Sequence, residues 1–554
     1  MKRFKPVIAG LLGIFLAGTL VSFQPNRDFK IVKNLDIFYT MFRELNMFYV
    51  DETDPEALIE SGIEGVLSDL DPYTSYIPPS EKKDFKFQTT GKYGGIGALI
   101  RKKDDYAIIA EPYEGFPADK ANLKAGDQLL KIDTLSIKGF KLKEISENLK
   151  GNPNTDVQVT IYRPYPAPGD TLVKKITRER ITIKSVPWYG MMNDSTGYIR
   201  FSKFTKDGSK EIEDAFIDLK NQQGAKSIIL DLRNNSGGLL NEAIKTCNIF
   251  LPKNKLIVKT KGQIENYNQS YRTKSAPIDT TFPLVVMVNG HSASASEIVA
   301  GAFQDYDRAV IVGERTFGKG LVQTTRPLSY DAQLKVTTAK YYIPSGRCIQ
   351  AIDYFHDKDE KDEKLPDSLK TPFKTNNGRT VYEGKGIFPD VHTKAERMSK
   401  MAISLHTKNL FFDYANIFAA HHDSIDPVDQ YEVSDSTYNS FIKFISDKDF
   451  DYKTKSEEKL NELIKTAKRE KYYEHAESSF KELKEKLAHD KEKDLLTFKD
   501  EIRQLLEEEI VTRYYYQSGN LITSLEKDPQ LKAAIEVLGN PNRYGTILEE
   551  NEEN

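Results

Sequence analysis

Apolar residues recur at helical spacing near the start of the chain, first as Ile37, Phe38, Met41, Phe42 and Leu45 and then as Leu58, Ile59, Ile63, Val66 and Leu67. Residues three and four apart share one face, so the pattern predicts two helices that pack their stripes into a small helical region. Leu70-Asp-Pro-Tyr-Thr74 and Pro78-Pro79 end it as turns. Short strand-like runs follow, at Tyr93-Gly-Gly-Ile-Gly-Ala-Leu-Ile100, Ala107-Ile-Ile-Ala-Glu111, Gly126-Asp-Gln-Leu-Leu-Lys-Ile132 and Val157-Gln-Val-Thr-Ile161. From Gly197 to about Val391, strand-like runs at 197–201, 227–232, 284–288, 309–312 and 336–342 alternate with helical runs at 212–220 and 297–303. That alternation predicts an α/β core. Beyond Lys394 the chain turns helical and charged, with Phe480, Leu483, Leu487 and then Leu495, Phe498, Ile502 and Leu505 spaced for helix packing.

A chain of 554 residues has room for roughly three to four domains, and 39% hydrophobic residues suffice for real cores. The 79 basic and 82 acidic residues leave a formal charge of -3, so no global field selects nucleic acid or an acidic membrane. Locally, Lys2, Arg3 and Lys5 precede an uncharged run from Val7 to Phe23 and the polar Gln24-Pro-Asn-Arg-Asp28, the pattern of an export signal. The run is long for a cleaved segment and short for a membrane span, so cleavage and retention as an anchor both fit. The expected location is the periplasm or the outer face of the inner membrane. Cys247 and Cys348 are the two cysteines; the histidines are scattered, and neither H-E-x-x-H nor C-x-x-C occurs. No metal and no cofactor are expected. The wholly charged segment 357–364, within a polar stretch reaching Gly386, reads as an exposed loop without chemistry.

The residues that carry chemistry lie close together. His291-Ser-Ala-Ser-Ala-Ser-Glu297 precedes Thr316-Phe-Gly-Lys-Gly-Leu-Val-Gln323. A serine hydroxyl is a weak nucleophile that needs a neighbour to take its proton, and a desolvated lysine serves once its pKa falls. Ser294-Ala-Ser-Glu297 fits a capping box, which places Ser294 at a helix start beside unpaired N–H groups, that of Ala295 included, suited to a developing oxyanion. Leu230-Asp-Leu-Arg-Asn-Asn-Ser-Gly-Gly238 ends a strand in paired glycines and offers a second donor, though alone it reads as a strand-to-helix turn. Gly313-Glu-Arg-Thr-Phe-Gly-Lys-Gly320 fails as a phosphate loop, because Gly320 lacks the magnesium-binding hydroxyl and a strand-like run follows. Gly290-His-Ser-Ala-Ser294 misses the nucleophile-elbow pattern at its last position, which weakens Ser292 as nucleophile and leaves His291 a structural neighbour.

The strand-rich stretch from Tyr93 to Ile161 resembles a PDZ domain, through its glycine-rich loop and the G-D-x-[IL]-x-x-[IV] signature at Gly126 to Ile132. The resemblance implies that an extended peptide joins the sheet edge while N–H groups of Gly95, Ile96 and Gly97 hold its terminal carboxylate. Together with Ser292-Ala-Ser-Ala-Ser-Glu297, Phe303-Gln-Asp305, Thr316-Phe-Gly-Lys-Gly320, Val322-Gln323 and Leu230-Asp-Leu-Arg-Asn-Asn235, residues 30 to 395 resemble the carboxy-terminal processing (tail-specific) peptidases. These are Ser-Lys serine proteases carrying a PDZ domain. The implied fold is α/β and multidomain, with a crotonase-like protease core at 184–395 and an inserted PDZ domain at 84–183. A signal or anchor at 1–28 and helical regions at 29–83 and 396–554 flank them. By the same resemblance Ser294 is the nucleophile, Lys319 the general base and Gln323 the residue that orients the lysine, while Gly238 and Ala295 supply oxyanion donors. The family also associates an acidic residue at Asp305 with the site, although a carboxylate near Lys319 would raise the lysine pKa and a helix-end role competes. The implied activity is that of an exported endopeptidase that binds protein C-terminal tails and hydrolyses them through an acyl-enzyme. The alternative is a PDZ scaffold that binds tails without cutting. Arg163, near the end of the last PDZ strand, is a candidate sensor of tail occupancy. The charged tail and the polar loop depart from plainer relatives, so homo-oligomerisation and a regulatory adaptor both stay open.

Overall fold

A computed structural model describes residues 27–352, 354, 371–448, 450, 452–487 and 490–549. The export-signal run at 7–23 and the charged segment 357–364 lie outside the described residues. The chain divides into two units between Tyr76 and Ile77.

In the first unit, α1 (Arg27–Phe48) and α2 (Pro55–Ser68) occupy the two predicted helical stretches. Asp54 starts α2 by accepting hydrogen bonds from the N–H groups of Glu56 and Ala57, and Pro55 supplies a φ suited to the first turn. The expected burial of their stripes does not follow. No residue of α2 is buried, and Phe29, Val32, Leu35 and Val66 stay exposed. Periodicity identifies an amphipathic face, and two helices are too few to enclose one.

In the second unit, β1 (Lys92–Gly95) pairs antiparallel with β7 (Glu179–Thr182). Between them, β2 (Ala98–Lys103), β3 (Tyr106–Pro112), β4 (Gln128–Ile132), β5 (Asp156–Arg163) and β6 (Asp170–Thr177) form an antiparallel sheet in that order. Strand alternation sends Val157, Val159 and Ile161 of β5 inward. They meet Ile145 and Leu149 of α3 (Leu142–Leu149).

The α/β core is a six-stranded sheet in the order β8 (Tyr189–Met191), β9 (Thr196–Arg200), β10 (Ser227–Asp231), β13 (Leu284–Val288), β14 (Val310–Gly313) and β17 (Val391–His392). All neighbours are parallel except β8 and β9. Every residue of β10 and β13 is buried, which explains their unbroken apolar runs. On one face, Ile228, Leu230, Val286 and Val288 pack with α4 (Gly208–Asn221), α5 (Leu240–Phe250) and α6 (Ala295–Asp305) through Phe216, Phe250 and Phe303. A second sheet holds β11 (Leu256–Lys261), β12 (Ser270–Arg272), β15 (Leu321–Pro327) and the long β16 (Gln333–Tyr342).

The other face of the core sheet is covered by the end of the chain. Tyr198, Ile229, Val285, Met287, Val310 and Val312 pack with Leu525, Leu531, Ala534 and Val537. Leu531, Ala534 and Val537 belong to α10 (Pro529–Gly539). The charged helical tail therefore completes the α/β core; it is not an appendage. Upstream, α7 (Leu410–His421), α8 (Asp435–Ser446) and α9 (Lys499–Glu526) form their own cluster around Phe411, Phe441, Ile502 and Ile510. That cluster also holds the domain of the antiparallel sheet β2–β6. Arg101 stacks 3.6 Å over the Phe412 ring, Lys103 pairs with Asp413 at 2.7 Å, and the Tyr516 hydroxyl donates to Asp119 at 2.7 Å.

Candidate active site

Two loops leave the C-terminal ends of neighbouring parallel strands, 232–239 after β10 and 289–294 after β13, the edge where open α/β sheets bind ligands. Side chains of each loop satisfy the other. The Ser292 hydroxyl donates to the Leu232 carbonyl at 2.8 Å and the Ser296 hydroxyl to the Asn235 carbonyl at 2.8 Å. The Asn289 side-chain amide nitrogen donates to the side-chain oxygen of Asn234 at 2.9 Å. The serines flanking Ser294 are thus committed to structure.

Ser294 behaves differently. Its backbone sits at φ 57°, ψ -112°, in a region that non-glycine residues rarely occupy and hold only when the surroundings enforce it. Half of the expected capping box forms. The Glu297 carboxylate accepts from the Ser294 N–H at 2.8 Å, but the Ser294 hydroxyl makes no cap bond. Ser294 lines a cavity of about 380 Å³. Lys319, Gln323, Gly238, Ala295 and Tyr341 line that cavity with it.

The oxyanion candidates are placed by close packing. Gly237 and Gly238 have φ values of 97° and 148°, and a Cβ on Gly238 would lie 2.3 Å from the Phe204 carbonyl oxygen. Only glycine tolerates both. Among the described residues, the N–H groups of Gly238 and Ala295 donate to no other group. Beneath the loop, Asp231 is fully buried among Tyr198, Arg200 and Arg233. Burial alone would raise its pKa, yet the two guanidiniums hold the carboxyl well below the usual range. Arg233 in turn pairs with Asp528 at 2.5 Å and donates to Gln530 at 3.0 Å, which ties the glycine loop to the C-terminal helices.

Glu297 has a wider role than its sequence position suggested. It is fully buried and accepts four hydrogen bonds, from the N–H groups of Ser294, Gly318 and Lys319 and from the Thr316 hydroxyl. Burial pushes its pKa up to about 7, and those four donors oppose the shift. Gln323 donates to the Thr337 hydroxyl at 3.1 Å.

Asp305 is not brought to this site. It ends α6, and eleven residues at ~1.5 Å each put it about 16 Å from the helix start. There it pairs with buried Arg347 at 2.9 Å and accepts from the Ser345 N–H at 2.8 Å. Asp305 thus sits in a buried ion pair at the far end of the helix and is not among the residues that line the cavity.

Gly95, Ile96 and Gly97 lie in the PDZ domain, apart from the cavity. The carbonyls of Ile96 and Gly97 accept from the N–H groups of Ala118 and Tyr113, while their own N–H groups donate to no other group among the described residues. Two consecutive unpaired donors suit a carboxylate. Arg163 is bound at both ends to Asp127 of the Gly126-Asp127 signature, at 2.7 Å each, and its Nη2 also donates to the Asn122 carbonyl. It is thereby tied to the signature turn and to the loop before it.

Comparison with known proteins accounts for the whole arrangement. Residues 195–357 match the model of peptidase family S41, residues 94–177 that of the PDZ domain, and residues 401–538 that of a probable PDZ-protease C-terminal helical domain. A carboxy-terminal-processing protease of Bartonella bacilliformis is 37% identical over 356 residues, covering 63% of this chain and 81% of the relative. A probable CtpA-like serine protease of Staphylococcus aureus is 36% identical over 366 residues, covering 65% and 68%. Among solved structures, a photosystem II D1 C-terminal processing protease is 28% identical, with a TM-score of 0.35 over 64% of this chain and 86% of that one. The family matches and the relatives make this a serine-type peptidase with a PDZ domain, not a scaffold that merely binds. The chain belongs to the carboxy-terminal processing proteases of peptidase family S41.

Proposed function

We propose that Ser294 and Lys319 carry the hydrolysis and that the PDZ domain delivers protein C-terminal tails to them. The observation that supports this most is the convergence of Ser294, Lys319, Gly238 and Ala295 on one cavity, with the Ser294 hydroxyl withdrawn from helix capping. Neutral Lys319 takes the hydroxyl proton as Ser294 Oγ attacks the scissile carbonyl, and the oxyanion receives the N–H groups of Gly238 and Ala295. The lysine then returns the proton to the departing amine as the C–N bond breaks, leaving an acyl ester on Ser294. Water, losing a proton to Lys319, attacks that ester, and Lys319 passes the proton to Ser294 Oγ as the C–O bond breaks, releasing the new carboxyl terminus and restoring both side chains. The family resemblance assigns Gln323 the task of orienting the lysine; it lines the same cavity, and its side-chain nitrogen donates to the Thr337 hydroxyl.

The substrate reading rests on the unpaired N–H groups of Ile96 and Gly97, which match a terminal carboxylate. The basic start and uncharged run at 2–23 support export to the periplasm or the outer face of the inner membrane. No helix among the described residues is long and apolar enough to cross a membrane. The test is mass spectrometry of a protein substrate with an apolar C-terminus, digested by the parent, Ser294→Ala and Lys319→Ala. Cleavage by the parent alone supports the assignment; cleavage surviving in either variant discards it.

A further inference from the structure

Each member of the proposed dyad is held at both ends of its own peptide unit by the same two side chains. The Glu297 Oε2 atom accepts from the N–H of Ser294 at 2.8 Å and from the N–H of Lys319 at 2.9 Å. On the other side, the Tyr341 hydroxyl lies within hydrogen-bonding distance of the Ser294 carbonyl, at 3.1 Å, and of the Lys319 carbonyl, and its single proton is shared between the two acceptors. Ser294 and Lys319 sit on different loops, after β13 and β14, so nothing in local chain geometry fixes their separation. We infer that Tyr341 and Glu297 are positioning residues that set the distance between nucleophile and base, one acting through the carbonyls and the other through the N–H groups. The inference rests on the Ser294–Lys319 reading.

Tyr341 suits this role. It is the penultimate residue of β16, lies 1% exposed, and its ring is anchored in the core cluster with Ile298 and Ile343, so the hydroxyl is aimed by rigid packing. Glu297 lies one helical turn after Ser294 in α6, and its other oxygen gathers the Thr316 hydroxyl and the Gly318 N–H from the base loop. Neither residue needs to touch substrate. A loop free to drift by an ångström would leave the amine poorly aligned for proton transfer, a displacement of the size that erodes rate about 100-fold.

The experiment uses the full chain, a peptide with an apolar C-terminus and four proteins: parent, Tyr341→Phe, Glu297→Gln and Ser294→Ala. Tyr341→Phe keeps the ring and removes only the hydroxyl. In Glu297→Gln, an amide nitrogen must face two donors. Expected for both is a fall in kcat of about tenfold, with KM within about twofold and a matching loss in the rate of acylation by a serine-reactive fluorophosphonate. A kcat loss under threefold in a folded Tyr341→Phe protein, or a loss confined to KM, overturns the inference. Tyr341→Phe decides the matter if Glu297→Gln does not fold. Activity remaining in Ser294→Ala removes the dyad reading itself; an inactive Ser294→Ala beside an unaffected Tyr341→Phe removes only the clamp.

Discussion

Substituting alanine for Gly237 tests the contact between the glycine loop and the nucleophile. A Cβ there would lie 2.7 Å from the Ala293 carbonyl oxygen, 2.9 Å from the Ala295 nitrogen and 2.9 Å from the Ser294 Cβ. Favourable carbon contacts sit at roughly 3.5–4.0 Å, so the loops must part by about half to one ångström. Two of the three obstacles are backbone atoms and cannot swing aside. The residue also holds φ 97°, which adds about 1–3 kcal/mol of strain for any side chain. The displacement falls on Ala295 and on neighbouring Gly238, the two donors. Misplacement by about 1 Å is worth roughly 100-fold in rate, and loss of one oxyanion donor about 100- to 1,000-fold. Gly237→Ala should therefore lower kcat about 100-fold with little change in KM, since tail recognition is remote from it. Gly224→Ala is the control. It has a similar φ of 78° but open space around its Cβ, so it should lose stability without losing rate per folded molecule. Steady-state kinetics on both, corrected for folded fraction by circular dichroism, gives the answer. A folded Gly237→Ala enzyme within threefold of the parent kcat would refute the coupling of this loop to the chemistry.

Leu531→Ala should destabilise the protease core by about 2–5 kcal/mol, because Leu531 is 4% exposed against the central sheet. Calorimetry should show the main transition lowered; an unchanged main transition beside a separate weak one would show the tail to be independent. The pH dependence of Glu297 has opposite signs for folding and for catalysis. Its pKa is raised from 4.5 to about 7, so its share of stability is full below pH 4.5 and is lost as pH rises toward and through 7. Its four donors need the ionised form, so kcat should climb over the same interval, and Glu297→Gln should flatten both curves when denaturant unfolding and kcat are measured across it.

Much of this was legible in the sequence because the relevant signals are local. The buried strands β10 and β13 announced themselves as continuous apolar runs, and their predicted bounds agree within a residue. The Gly-Gly pair, the hydroxyl cluster and the glycine-flanked lysine lie within short windows, and one cavity gathers them. What sequence could not supply was the partner of each group. The capping box at Ser294 pointed to the right helix start, yet nothing in S-x-x-E says that the serine hydroxyl will make no cap bond while the glutamate reaches a loop more than twenty residues later. Tyr341 occupies an ordinary buried strand position, and its hydroxyl acquires meaning only when β16 folds back over both loops. The charged composition after Lys394 concealed Leu531, Ala534 and Val537, whose spacing would have marked a buried face. Asp305 came from the family resemblance with a helix-end role as its competitor, and a helix of eleven residues carries it about 16 Å from the helix start, into an ion pair with Arg347. The same geometry explains why Glu297 succeeds where Asp305 cannot. Three residues from the nucleophile is a single turn, which is as far as a carboxylate can sit and still hold the serine N–H while serving the base loop.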